Sequence, residues 1–321
     1  MRAPRLAKAR QRGVAVVTAL LLTTLAITVV ASLFWQQQVQ VRSIENQRLQ
    51  LQKEWILRGA LDWARLILRE DAKYSSIDAL DEPWAVPLSE TRLDQYVENG
   101  RPGDEADATL SGGIEDAQAR FNLTNLAPNG SIVPENVQAF ARLLSSLQLD
   151  PGLAAKTADF IRNTTPVTTG QQQQQAEGAQ GRNQSSPALP MTQVDDLLAV
   201  AELSQDDLER LRRFVVVLPR STAVNINTAS AEVLGAVAEG LSQGDAALLV
   251  NSRQSAHFRS IADVNSRVPG LAAKVPANVF SVSTNFFFVN GQVRMSRAGL
   301  GVQALIERNG TKTNVIWVRE Y

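Results

Sequence analysis

The sequence predicts an α+β fold: a long N-terminal helix packed on an antiparallel sheet, with a large helical insertion between the two parts of that sheet. Three observations carry this. Helical periodicity runs from Val14 to about residue 70, interrupted by one glycine, Gly59, and no proline. The C-terminus is a run of β-branched and aromatic segments punctuated by Asn-Gly pairs. Between them, two similar helical stretches fill the middle of the chain.

The helix follows a short leader. Residues 1–13 hold five basic side chains (Arg2, Arg5, Lys8, Arg10 and Arg12) and no acid. Val14 to Trp35 is then free of charge, glycine and proline. As a helix it extends roughly 33 Å, enough to cross the hydrocarbon core of a bilayer. Positive charge before it, and none of either sign until Arg42, predicts a cytoplasmic N-terminus with the body across the membrane. A cleaved secretory signal, ending near Val29-Val30-Ala31, would have a shorter apolar region. A plain uncleaved anchor is the other simple alternative.

Past the apolar run the helix turns polar, through Gln36, Gln37, Gln38, Gln40, Arg42, Glu45 and Arg48. Ile56, Leu57, Ala60, Leu61, Ala64, Ile67 and Leu68 then recur at three- and four-residue spacing. That stripe predicts packing on a sheet and one helix over 14–70. Residues 71–122 are expected to form the first part of the head, irregular over Asp71–Pro102 and then a strand over Gly112–Asn122. Residues 276–321 are expected to close it as a meander. Its strands are Phe280–Val289, Val293–Arg308 and Thr313–Arg319, with Asn290-Gly291 and Asn309-Gly310 as hairpin turns. Phe286, Phe287 and Phe288 in succession suit a strand covered on both faces.

The insertion, 123–275, reads as two helical halves, 123–219 and 220–275. Phe121-Asn122-Leu123-Thr124-Asn125 is echoed by Val224-Asn225-Ile226-Asn227-Thr228. After the first echo, helices are expected at Pro134–Leu147, Pro151–Arg162, Thr192–Val200 and Ser204–Val217. After the second they are expected at Ser230–Glu239, Ser242–Arg253 and Ser260–Val268, with a short turn near Leu271–Val275. Ser204 with Asp207 forms a candidate capping box. Residues 164–190, with the run Gln171–Gln175, are expected to be a disordered loop.

Composition argues against most chemistry. Formal charge balances at 32 basic and 32 acidic residues, so the chain beyond the leader is mildly acidic, which disfavours nucleic-acid binding. There is no cysteine and one histidine, His257, expected on a surface turn. No nucleophile motif or zinc spacing is present, and no enzyme activity is expected.

Gly13-Val14, following a basic leader and opening the apolar run, resembles the processing site of type IV prepilins and type II secretion pseudopilins. The resemblance implies cleavage after Gly13 by prepilin peptidase, methylation of Val14, and a pseudopilin fold. Thr18 stands where most pseudopilins carry a glutamate that neutralises the amine of the subunit ahead. Its absence, with the unusual length, is the mark of minor pseudopilin K, the fibre-tip subunit. The family implies assembly initiation and support for export of folded proteins across the outer membrane. Implied partners are minor pseudopilins I and J, other pseudopilins, prepilin peptidase and the inner-membrane assembly platform.

No cofactor is expected, with calcium left open. Some K pseudopilins bind calcium in the insertion, but the corresponding Asp159–Asn163 stretch and Glu177 offer few ligands. Asp195, Asp196, Asp206 and Asp207 read better as helix-face and cap residues. The alternative is a membrane-anchored periplasmic DNA receptor. Val224–Ser230 resembles the opening of a helix-hairpin-helix module, and Gly240-Leu241-Ser242-Gln243-Gly244 would be its phosphate-binding turn. That turn is loosened, and Arg253, Arg259, Arg267 and Lys274 are balanced by Glu232, Glu239, Asp245 and Asp263.

Overall fold

The structure, a computed structural model, describes residues 12–93, 108–165, 189–200, 203–295 and 298–321. Most of the leader and most of the Gln-rich loop, including Gln171–Gln175 and Glu177, lie outside the described residues. The chain divides into two units, 1–56 and 57–321. Helix α1 (Arg12–Tyr74) is continuous, with no break near Gln36–Gln40, and runs four residues past the predicted end. Gly59 sits within it with open space where a Cβ would lie.

In the first unit the apolar side chains from Val14 to Trp35 are all exposed, and one stretch is long and apolar enough to cross a membrane. Its polar groups are satisfied locally. Thr18, Thr24 and Thr28 each donate to a carbonyl one turn back, which pairs these hydroxyls within the helix.

The second unit is built on a five-stranded antiparallel sheet in the order β1 (Leu88–Arg92), β2 (Ala108–Asp116), β7 (Phe286–Met295), β8 (Ala298–Asn309), β9 (Lys312–Glu320). The predicted stripe covers one face. Leu57, Ala64 and Leu68 are buried, and Ala64 and Leu68 share a cluster with Phe287, Val289, Ala304, Ile306 and Trp84. Trp84 meets Phe287 edge-on at 5.3 Å between centroids. Phe286, Phe288 and Leu305 point to the opposite face, against Ala117, Val216 and Leu218. The triple phenylalanine is therefore covered on both sides, as predicted.

Several predicted boundaries are corrected. Asn290-Gly291 is no turn, because β7 runs straight through it, pairing Gly291 with Gly112 on one side and Val302 on the other. Both glycines serve close approach. A Cβ at Gly291 would lie 3.4 Å from Leu57 Cδ2, and one at Gly112 would strike the Asn290 carbonyl oxygen. Asn309-Gly310 does form the β8–β9 turn, with Gly310 at φ +57°. The stretch Asp71–Pro102 is less irregular than expected, since it contains the edge strand β1. Finally, the first-part strand ends at Asp116, and Phe280 lies outside the large sheet.

Those ends belong to the insertion. β3 (Phe121–Asn122) pairs in parallel with β4 (Val215–Val216), which replaces the end of the helix predicted over Ser204–Val217. Between them lie α2 (Pro134–Ser146), α3 (Leu153–Thr164), α4 (Leu197–Val200) and α5 (Gln205–Leu211). Phe121, Phe140, Leu143, Leu144 and Leu211 centre their core, with Phe121 stacked on Phe140. Ser204 caps α5 by accepting the Asp207 amide at 3.1 Å. The second half repeats the plan. β5 (Val224–Asn225) pairs in parallel with β6 (Phe280–Ser281) around α6 (Ala231–Val237), α7 (Gln243–Ser255) and α8 (Ile261–Arg267). Its separate core is centred on Ile226, Leu234, Leu249, Phe258 and Phe280.

Candidate functional site

Gly13 and Val14 lie in the first turn of α1. Thr18 stands one turn on, and its hydroxyl donates to Val14 O at 3.0 Å and Ala15 O at 3.1 Å. The side chain at this position is thus spent on its own helix. It carries no charge that a neighbouring amine could use, unlike a carboxylate, which in lipid persists only with a partner.

A second constellation, absent from the predicted residues, joins sheet and insertion. Arg308 on β8 is buried and reaches Asp71 at 2.8 Å with one nitrogen and Asp78 with the other. Asp78 also accepts the Thr284 amide at 2.7 Å. Asn225, in β5, donates at once to Asp78 O at 3.0 Å and Asp116 Oδ2 at 2.8 Å. Thr228 donates to the same Asp116 oxygen at 2.6 Å, and the Gln118 amide donates to the other at 2.7 Å. Burial pushes Asp78 up to about 6 despite Arg308. Burial likewise raises Asp116, against hydrogen bonds from Thr228, Thr284, Asn225 and Gln118 that favour its charged form. Asp71 is raised by burial and by Glu82.

Asp71, Asp78 and Glu82 are the converging acidic group among the described residues. Arg308 is shared between two of them, and Glu82 accepts the Ala79 amide and Trp84 Nε1. Among the described residues, most of the acids singled out in the insertion have partners of their own. Asp159 pairs with Arg162 and Asp195 with Arg212, Asp207 binds Arg210, and Asp196 accepts the Thr192 and Gln193 amides. Calcium needs six to eight converging oxygens, and these are dispersed.

The helix-hairpin-helix turn is likewise occupied from within. Gly240 adopts φ +77°, and Ser242 caps α7 in a reciprocal box with Asp245. Lys274 lies 2.7 Å from Asp245. The Ser242 amide of that turn already donates to the resident Asp245 carboxylate, which disfavours the DNA-receptor alternative. His257 lies part-exposed in the α7–α8 connection, with its Nδ1 3.1 Å from Asp81.

An apolar helix long enough to cross a membrane, continuing as an amphipathic helix on an antiparallel sheet that carries a large two-half helical insertion, defines the α+β class of a pseudopilin. Family models described as "Type II secretion system (T2SS), protein K" match residues 119–220 and 224–283, the two helical halves. The type II secretion system protein K of Pseudomonas aeruginosa is 31% identical over 303 residues, covering 89% of this chain and 85% of its own. That of Klebsiella pneumoniae is 26% identical, covering 96% and 95%. The crystal structure of the GspK-GspI-GspJ complex from enterotoxigenic Escherichia coli contains a chain that superposes with a TM-score of 0.66 at 22% identity. The match covers 87% of this chain and 99% of that one. The chain belongs to the type II secretion system protein K family.

Proposed function

We propose that this minor pseudopilin occupies the tip of the type II secretion pseudopilus, where it initiates assembly and supports export of folded proteins across the outer membrane. The observation that carries this is Thr18, whose hydroxyl is closed on its own helix. A subunit with no neighbour ahead has no amine to neutralise, so a carboxylate there would be an uncompensated charge in lipid. The two-half insertion supports the same position, since bulk that would crowd a fibre's shaft is accommodated at its end.

Prepilin peptidase removes the leader after Gly13, and methylated Val14 opens the mature chain. The Val14–Trp35 span then anchors the protein once across the inner membrane, with the N-terminus cytoplasmic and the body periplasmic. Its partners are minor pseudopilins I and J, as in the complex of the Escherichia coli relative, followed by the other pseudopilins and the assembly platform. The role is mechanical, with no catalytic step or cofactor. The test is the mass of the N-terminal peptide of membrane-extracted protein: methylated Val14 is expected, and an intact Met1 or a start near Ser32 overturns the reading.

A further inference from the structure

We infer that the joint between the sheet and the second helical half is proton-responsive, tightening as the surrounding medium becomes mildly acidic. The physiological setting rests on the periplasmic placement proposed above; the joint itself rests on geometry. Three polar links bridge the same two parts of the fold, and two of them end on buried carboxylates. Asp116, at the end of β2, receives Asn225 and Thr228 from the insertion. Asp78 offers its carbonyl to Asn225 and its carboxylate to Thr284, just past β6. At the rim, His257 from the α7–α8 connection meets Asp81, a pair that is ionic only when the imidazole is protonated.

The charges around the buried pair do not balance. Facing Asp78 are Asp71 from α1, Glu82 before Trp84, Asp116 from β2 and Arg308 from β8. Facing Asp116 are Asp78 and, from the start of the insertion, Arg120, which is itself paired to Glu115 at 2.8 Å. Arg213 lines the adjoining cleft with Asp116, Thr228 and Ser230. Arg308 is the single cation bonded to the buried carboxylates among the described residues, and it serves both Asp71 and Asp78. Asp116 has neutral donors only. At neutral pH the closed joint therefore holds excess buried negative charge, which opening to water relieves. Protonation of the buried carboxylates removes that incentive.

Hydrogen–deuterium exchange of the full-length chain in detergent tests this, with rates corrected for intrinsic pH dependence. Protection at Ile226, Asn227 and Thr284, whose amides bond across or within the joint, is expected to rise about tenfold from about pH 8 to about pH 5.5. The combined Asp78→Asn and Asp116→Asn variant is expected to lose the response. pH-independent protection in the native chain overturns the inference without touching the proposed function. So does an undiminished response in the variant. Should the variant fail to fold, the native-chain titration and the single Asp116→Asn variant, expected to be protected already at the higher pH, decide alone.

Discussion

Asn122 and Asn225 play the same part in the two halves of the insertion. Each accepts, through Oδ1, the backbone amide two residues on: Thr124 at 3.1 Å and Asn227 at 3.0 Å. Each then spends its amide nitrogen on a long-range partner. Asn122 reaches Arg220 O and Thr222, while Asn225 reaches Asp78 and Asp116. One tether holds half to half, the other holds the insertion to the sheet.

Removing Arg308 is expected to be the most damaging single substitution in the head. Arg308→Leu strands Asp71 and Asp78 in the core, and leaving buried charges unpaired costs about 3–5 kcal/mol. Its guanidinium also stands 4.7 Å from the centre of the Phe287 ring. Denaturant unfolding of the variant measures the loss; a change below about 1 kcal/mol contradicts the assignment.

Stability should rise on mild acidification, contrary to the usual carboxylate trend. A folded-state value for Asp78 raised from 3.8 to about 6 means the folded chain binds the proton more tightly than the unfolded one. The gain begins as pH falls through about 6 and is complete below 3.8, amounting to at most about 3 kcal/mol. Asp207 and Asp245 run the other way: hydrogen bonds from Ser204 and Arg210, and from Lys274 and Ser242, lower them, and the stability they lend is lost in acid. A maximum on the acid side of neutrality is expected in denaturant midpoints, and Asp78→Asn should flatten its neutral flank.

Glycine substitutions should separate turn from close approach. Gly310→Ala, at positive φ in a tight turn, should cost about 1 kcal/mol. Gly112→Ala should cost more, since its Cβ meets a backbone oxygen that cannot rotate away. Equal melting temperatures for the two variants would count against the close-approach explanation.

Thr18→Glu is expected to impair secretion, whereas Thr18→Val, which loses only bonds to Val14 and Ala15 on the same helix, should preserve it. Secreted-protein levels in a strain expressing each variant provide the measurement, and normal export with the glutamate would sink the tip assignment.

The contrast between what could and could not be anticipated has physical causes. The long helix and the three phenylalanines were legible because burial imposes a period on the chain, and Leu57, Ala64 and Leu68 repeat it. Gly13, Val14 and Thr18 are singled out by the sequence alone, at and just after the junction between a basic leader and an apolar run. Asn290-Gly291 misleads because the pair has turn chemistry, yet packing against Leu57 and pairing with Gly112 override it. β3 to β6 are two-residue bridges, too short to carry a period, although the run Phe214 to Val217 is rich in β-branched residues. Asp78, Asp116 and Arg308 have no local signature: an isolated acid in an irregular segment reads as solvated, and the partner that settles the matter lies elsewhere in the sequence.

Parallel closure of each half has a consequence for how this family can change. Because Phe121 lies beside Val215 and Val224 beside Phe280, each excursion starts and finishes at neighbouring points. Residues can be gained or shed within an excursion without moving the two points at which it is sewn to the sheet. The head is thereby insulated from changes of length in its own largest appendage.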